Sequence, residues 1–191
     1  MSKRQDGAFA ERDRLIRDLF VRYGQLMDYC DTFFGTVRAR AGSAMVCGDG
    51  CGSCCELSSV TALEAAVMWK YVRRRRLHVK PLAPRRRGVC VFLENGRCTV
   101  YPVRPMICRS HGLPIVYKVR GRDTVCWCPK NFRKMRVRDI PKSWVFDGDA
   151  ATVQLVKMNL AYCLVTGKRQ LADRRVTFRS IRTGKAARVL A

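Results

Sequence analysis

Apolar residues recur at the spacing of one helical face between Asp13 and Phe34. Steps of three and four residues place such side chains on one side of an α-helix, and arginines and aspartates occupy the other side here. The pattern predicts an amphipathic N-terminal helix that packs on the rest of the chain. Cys30 lies on the apolar stripe, so we interpret it as a small buried side chain.

Two further helices are predicted from their ends. Thr61 followed by Glu64 is the signature of a capping box, in which the two residues satisfy free backbone N–H groups at a helix start. The segment "TALEAAVMWKYVRRRR" is therefore predicted to be a helix. A last helix is expected from about Asp149, a candidate N-cap, to Thr166, and Gly167 can end it.

Short β-hairpins are predicted between these helices. In "VCVFLENGRCTVY", two apolar runs flank an Asn-Gly pair, which is a strong turn signal. The segment "IVYKVRGRDTVCW" is expected to form a second hairpin that turns at Arg120–Asp123. Residues 38–55 are rich in Gly, Ala and Ser and are expected to be loop. The predicted fold class is mostly α with short β-hairpins, in a small, loop-rich domain.

The length of 191 residues suits one compact domain with an appendage. We divide the chain into an N-terminal amphipathic helix that packs on the domain (1–40), a cysteine-rich domain (41–166) and a basic C-terminal tail (167–191). The tail is expected to be partly mobile.

The charge of the chain is strongly positive. It has 38 Lys and Arg residues against 15 Asp and Glu residues, a net charge of +23. Residues 73–87 alone carry eight Lys or Arg and no carboxylate. Such a surface favours nucleic acid or another polyanion as a partner, although a merely solvated basic surface explains it equally well. Aromatic residues for stacking on single strands are sparse in this segment, and the Cys-Cys-His-His spacing of DNA-reading fingers is absent.

Cysteine usage indicates metal binding. The eleven cysteines are an odd number, which fits poorly with complete disulfide pairing. The N-terminus has no apolar secretory region, and no apolar run reaches the ~18 residues of a membrane helix. We therefore expect a cytoplasmic chain without a membrane span. In that reducing setting clustered cysteines favour metal ligands over a disulfide framework.

Four of these cysteines lie in the nine residues "CGDGCGSCC", from Cys47 to Cys55. Thiolates bind zinc, Cu(I) and the irons of Fe–S clusters, and one site needs about four ligands. Adjacent Cys54 and Cys55 either require a tight turn or serve two centres. A second set follows, made of Cys90, Cys98, Cys108, Cys126 and Cys128. Nine thiols are more than a single mononuclear site binds. Their spacing leaves open two metals, a cluster with structural thiols, or an open coordination arrangement.

Three segments, "CGDGCGSCC", "CVFLENGRCTVYPVRPMICRSHG" and "CPKNF", resemble the bacterial YkgJ family of cysteine-cluster proteins. The family carries the CxxxCxxCC signature of a zinc- or iron-chelating domain, and the resemblance extends from about Cys47 to Phe132. It implies a metal-stapled domain whose cofactor is iron, as an Fe–S cluster, or zinc. The implied ligands are Cys47, Cys51, Cys54, Cys55, Cys90, Cys98, Cys108 and Cys128. Cys128 is preferred to Cys126 because "CPKNF" resembles the family's terminal C-x-x-N-F.

Three functional hypotheses follow. The first is a metal-chelating protein that holds iron or zinc. The second is an Fe–S-dependent metalloenzyme for methyl or electron transfer, because the flagellin lysine methylases share the signature. Those enzymes are longer, and we find no glycine-rich methyl-donor loop here. The third is a nucleic-acid-associated protein with a structural zinc. The sequence assigns no catalytic residue.

Four other residues have candidate roles near the thiols. His111 is either an additional ligand, a hydrogen-bond donor to a thiolate, or an ordinary loop residue. Arg104 and Arg109 flank Cys108, and their guanidinium groups are expected to offset thiolate charge. Glu64 is interpreted mainly as part of the helix cap, with general-base chemistry as the alternative.

Overall fold

The computed structural model describes residues 3–48, 50–82 and 88–190. Within these ranges the helices are α1 (Lys3–Ala41), α2 (Ala62–Arg74), α3 (Met106–Ser110), α4 (Gly148–Val165), α5 (Phe178–Arg182) and α6 (Ala187–Leu190). The strands are β1 (Ser59–Val60), β2 (Leu93–Glu94), β3 (Arg97–Cys98), β4 (Ile115–Val119), β5 (Arg122–Cys126), β6 (Phe146–Asp147) and β7 (Val176–Thr177). The mostly α fold class with short β-hairpins is confirmed.

The predicted N-terminal helix is present as α1 and is longer at both ends than the apolar pattern indicated. Its buried face continues past Cys30 to Val37, which packs in the same core. Residues 38–41 were expected in a loop but form the last turn of the helix. The helix ends before Gly42, whose φ of +53° places it in the left-handed region.

The helix α2 begins at the capping box that the sequence predicted. The Thr61 hydroxyl accepts a hydrogen bond from the backbone N–H of Glu64, and the Glu64 carboxylate accepts one from the backbone N–H of Thr61. Both sides of α2 are covered by protein. Leu63 belongs to one core, while Met68 and Val72 belong to another.

Both predicted hairpins are present, although the second turns at Arg120 and Gly121, because Arg122 and Asp123 already pair with β4. β2 and β3 pair antiparallel with Leu93 opposite Cys98, and they turn at Asn95 and Gly96. Both turn residues have positive φ, which a tight two-residue hairpin turn requires and which Asn-Gly tolerates. β4 and β5 pair over five residues each, and β6 adds to β4 in parallel, giving the strand order β5-β4-β6.

The helix α4 has a different N-cap from the one predicted. The Asp147 carboxylate accepts a hydrogen bond of 2.8 Å from the backbone N–H of Ala150. Asp149 instead accepts a bond of 2.7 Å from the backbone N–H of Lys118. Strand β6 keeps the chain extended as far as Asp147, so the cap falls two residues earlier. Gly167, with a φ of +72°, follows the helix end as predicted.

The C-terminal residues, which the sequence suggested as a basic tail, form β7, α5 and α6. Strand β7 pairs with β1, and α5 packs on α2. Phe178 and Ile181 of α5 are buried with α2 residues. The division of the chain at residues 40/41 and 166/167 stays a prediction.

Buried residues form two cores that α2 separates. The first core joins α1, α4 and one side of α2, and it includes Leu63, Leu155 and Phe146. The second core joins the other side of α2 to the β2–β3 hairpin and α5, and it includes Met68, Phe92 and Phe178. No helix in the described residues is both long enough and apolar enough to cross a membrane.

Arg182 anchors the C-terminal segment to the cysteine-bearing hairpin. Its side chain is 1% exposed and donates hydrogen bonds to the carbonyl oxygens of Leu77, Lys80 and Pro81. It also forms an ion pair of 3.3 Å with Glu94 of β2. These bonds hold α5 against the edge of the second core.

We predict that Arg182→Ala lowers the free energy of unfolding by about 3–5 kcal/mol, because it leaves buried carbonyl groups without a donor and breaks a largely buried pair. Urea denaturation followed by circular dichroism measures this change. Arg179→Ala, an exposed arginine on the same helix, is the matched control and should change stability by less than about 0.5 kcal/mol. Equal effects of the two substitutions would contradict the anchoring role.

Candidate metal centre

A cavity of about 420 Å³ lies where the two cores meet. Its apolar wall combines Phe34, which packs on the first core, with Met68, Phe92 and Phe178 of the second. Seven of the predicted ligands line the same cavity: Cys47, Cys51, Cys54, Cys55, Cys90, Cys98 and Cys108. His111 also lines it. The fold therefore brings together thiols from segments that lie far apart in the sequence.

The other four cysteines lie elsewhere or at the edge of this group. Cys128 is hydrogen-bonded to the thiol of Cys47, so it adjoins the cavity. Cys126 is exposed at the end of β5, opposite Ile115, and does not line the cavity. Cys30 and Cys163 are fully buried in the first core, as the apolar pattern predicted for Cys30. All eleven cysteines lie in the described residues, and none of them forms a disulfide.

Tight turns gather the four sulfurs of the 47–55 segment. The backbone N–H of Cys51 donates to Gly48, and that of Cys55 donates to Gly52, each at 3.1 Å. A Cβ atom at Gly52 would lie 3.0 Å from the side chain of Leu93, so glycine allows the loop to approach the β2–β3 hairpin. The backbone N–H of Cys90 donates to the carbonyl of Cys55 at 2.7 Å, which ties the first cysteine segment to the second.

Asn131 is fully buried and fixes the position of Cys47. Its side-chain oxygen accepts hydrogen bonds from the backbone N–H groups of Val46 and Cys47, at 3.0 and 3.2 Å. Its side-chain nitrogen donates to the sulfur of Cys47 at 3.1 Å and to the carbonyl of Gly112 at 2.7 Å. Gly112 has a φ of +105°, and a Cβ atom there would lie 2.8 Å from the Cys47 sulfur.

An aspartate on α1 holds the segment that carries Cys108. The Asp31 carboxylate forms ion pairs with Arg104, at 2.9 Å, and with Arg109. Arg109 also donates to the carbonyl oxygens of Arg104 and Pro102, at 2.9 and 2.8 Å. The Arg104 guanidinium stacks 3.8 Å above the centre of the Tyr101 ring. These contacts brace the loop before α3 with two cations beside the thiols.

Glu64 joins the start of α2 to the start of α3. One carboxylate oxygen completes the capping box with Thr61, and the other accepts a 3.1 Å bond from the backbone N–H of Met106. Burial raises the pKa of this carboxyl group, while its backbone hydrogen bonds oppose that rise. The bonds explain Glu64 as a positioning group for the helix that bears Cys108, which agrees with the cap interpretation.

The thiols differ in how easily they ionise. Burial raises the pKa of Cys47 to about 11, and the neighbouring thiols of Cys128 and Cys51 add to that rise. Burial likewise raises the pKa of Cys108 well above its ordinary value, although solvent reaches it through the cavity. Cys54 and Cys55 share a hydrogen bond, so the first thiolate of the pair forms below the ordinary cysteine pKa and the second well above it.

Metal binding at these sulfurs is coupled to deprotonation. In the described residues, no three His, Cys, Asp or Glu side chains already converge at coordination distance. Protonated thiols donate hydrogen bonds to one another, as Cys54 does with Cys55, and a metal must displace those protons to draw the sulfurs together. The donor set itself, thiols within one cavity, suits the soft or borderline metals zinc and iron.

Comparison with known proteins agrees with this donor chemistry. Residues 46–130 match a family model named CxxCxxCC and described as a "putative zinc- or iron-chelating domain". This segment of the chain is therefore similar to a CxxCxxCC domain. The match spans slightly less than half of the chain and includes every cysteine of the two predicted ligand sets. No curated protein and no solved structure matches the chain significantly.

Two residues that support the cysteine segments were not predicted from the sequence. Asn131 stands in the "CPKNF" segment, in which only Cys128 was assigned a role. Asp31 was counted with the polar face of α1, although its carboxylate holds both predicted arginines. Periodicity gives no signal for either contact, since both join segments that are more than 70 residues apart.

We predict that the Cys54–Cys55 pair reacts first with iodoacetamide in the metal-free protein. Its first thiolate forms at lower pH than the thiolates of Cys47, Cys98 and Cys108, because Cys54 donates a hydrogen bond to it while burial raises the pKa of the other three. Mass spectrometry of briefly alkylated protein between about pH 6 and 9 measures the order of labelling. The buried thiols Cys30 and Cys163 should label last, and earlier labelling of Cys108 than of the pair would contradict the prediction.

We predict that Arg109→Ala weakens metal binding as well as folding. The substitution removes the side-chain bonds to Asp31, Pro102 and Arg104, which costs about 2–4 kcal/mol of stability and loosens the segment that carries Cys108. Thermal unfolding and metal content per chain are the two readouts. Arg133→Ala, at an exposed position in the loop after β5, is the control and should change neither the thermal stability nor the metal content. Unchanged stability of the Arg109 variant would contradict the bracing role.

Proposed function

We propose that this protein is a metal-chelating protein whose CxxCxxCC domain binds iron, as an Fe–S cluster, through thiolates around the cavity. The proposed ligands are Cys47, Cys51, Cys54, Cys55, Cys90, Cys98, Cys108 and Cys128. The observation that carries the proposal is the gathering of seven of these thiols around one cavity, with the eighth hydrogen-bonded to Cys47. The family description supports chelation of zinc or iron, and the cluster is our own addition.

The cavity supports a cluster rather than a single ion. Fe–S clusters are held by cysteine thiolates, and their iron and sulfide atoms need more room than one zinc ion does. The cavity of about 420 Å³ supplies that room beside an apolar wall. When bound, such a cluster would supply electron-transfer or Lewis-acid chemistry, while the chain would bind it and limit its contact with water.

Charge compensation also favours an anionic thiolate centre. Arg104 lines the cavity together with Arg109, and both are held in place by Asp31. Guanidinium groups close to thiolates lower the free energy of keeping the sulfurs deprotonated. This arrangement supports the predicted role of the two arginines beside Cys108.

The other functional hypotheses receive no comparable support. Arg73–Arg76 are exposed, and Arg74 and Arg75 lie over the Tyr71 ring at 5.9 Å, which explains part of the segment as helix-end packing. Arg85–Arg87 lie outside the described residues. The comparisons do not support a nucleic-acid partner, and a cytoplasmic location stays a prediction.

The proposal is tested by metal analysis of protein purified without oxygen. We expect iron with inorganic sulfide and broad visible absorption. Zinc without visible absorption would overturn the cluster while keeping chelation, and the absence of both metals would overturn chelation.

Matched cysteine variants test the ligand set. We predict that the double variant Cys90→Ser/Cys98→Ser, which removes two thiols from the cavity, lowers the bound metal by half or more. Cys126→Ser removes an exposed thiol outside the cavity and should keep the full metal content. Metal content and visible absorption per folded chain are the readouts. An equal loss in both variants would contradict the assignment.

A further inference from the structure

Four of the eight proposed ligands pack with one core or the other. Cys47 is buried in the first core, and Cys128 packs against that core. Cys90 and Cys98 instead pack against the second core, beside Phe92. Because α2 separates the cores, the sulfurs approach the cavity from opposite sides.

Backbone hydrogen bonds and the causes of the pKa shifts follow the same division. The backbone N–H of Cys51 donates to Gly48, next to Cys47, and the thiols of Cys128 and Cys51 both raise the pKa of Cys47. The backbone N–H of Cys90 donates to the carbonyl of Cys55, and the thiols of Cys54, Cys90 and Cys98 affect the pKa of both Cys55 and Cys108. The boundary falls at Gly52 and Ser53, between Cys51 and Cys54. Three thiols therefore form one group and five form the other.

We propose that the domain holds two separate metal centres, and that Cys47, Cys51 and Cys128 bind the second one, with Asn131 as its positioning residue. This inference rests on the proposed function and specifies the number of centres. The five-thiol group of Cys54, Cys55, Cys90, Cys98 and Cys108 exceeds what one four-ligand centre needs. The three-thiol group is thus free to bind its own ion, with a fourth position open toward the cavity.

Asn131 gives the three-thiol group its own support. It is wholly buried, and its side-chain nitrogen donates to the Cys47 sulfur, while its oxygen accepts from the Cys47 backbone N–H. A hydrogen bond to a ligand sulfur orients the sulfur and stabilises its thiolate form. Gly112, with no side chain, allows the backbone to reach the same sulfur and to accept the second Asn131 N–H.

The experiment is a Co²⁺ titration of the full, reduced, metal-free chain, followed by the absorption of cobalt–thiolate bonds. We expect the wild type to bind two equivalents. Cys128→Ser should lose one equivalent, and the double variant Cys90→Ser/Cys98→Ser, which leaves three thiols in the five-thiol group, should lose the other, so that their difference spectra are distinct. Loss of the same fraction and the same bands in both variants would overturn the two-centre proposal.

Two further variants guard against failure to fold. Cys51→Ser changes a half-buried loop residue, and it should reproduce the loss seen with Cys128→Ser. Asn131→Ala should weaken Co²⁺ binding at one centre by about 10- to 100-fold and shift only its bands. A uniform weakening at both centres would contradict a positioning role at Cys47, and Cys126→Ser is the neutral control.

The experiments distinguish failure of the proposed metal chelation from failure of the proposed division into two centres. A wild-type protein that binds no Co²⁺ and purifies without zinc or iron would overturn chelation itself. A wild-type protein that binds metal but loses it all on any single ligand substitution would overturn only the division into two centres.

Discussion

The structure depends on the burial of thiols between two hydrophobic cores that one helix separates. Helix α2 is covered on both sides and contributes buried residues to both cores, so the two cores share this helix. Sulfurs reach the cavity between the two cores from both sides. The loops around the cavity contain too little regular structure to fill it by backbone pairing. Burial raises the pKa of Cys47, Cys98 and Cys108 and so favours their protonated form in the absence of metal. Metal binding would exchange those protons for coordinate bonds and would tie the two cores together.

Few side chains support the cysteine segments, and each of them forms several hydrogen bonds or ion pairs. Asn131 makes four hydrogen bonds around Cys47, and Asp31 holds two arginines beside Cys108. Glu64 serves the caps of two helices at once. Asp31 and Glu64 therefore connect the helical scaffold to the segment that carries Cys108, while Asn131 connects the loop of Cys47 to that of Gly112.

The sequence predicted those features that depend on local rules. The capping box at Thr61, the Asn95-Gly96 turn and the helix stop at Gly167 follow from neighbouring residues, and all three are present. The N-cap of α4 was placed two residues late because strand β6 depends on pairing with β4, which is distant in sequence. The gathering of cysteines followed from their spacing and from the resemblance. The roles of Asn131 and Asp31 were not predicted, because their contacts join segments far apart along the chain.

The central claim is that cysteine sulfurs of the CxxCxxCC domain bind a metal directly. X-ray absorption at the metal edge of protein purified without oxygen tests this claim, because it reports the atoms bound to the metal. The account predicts a first shell dominated by sulfur at about 2.3 Å, with iron–iron scattering if the centre is a cluster. A first shell made of oxygen and nitrogen alone would contradict it.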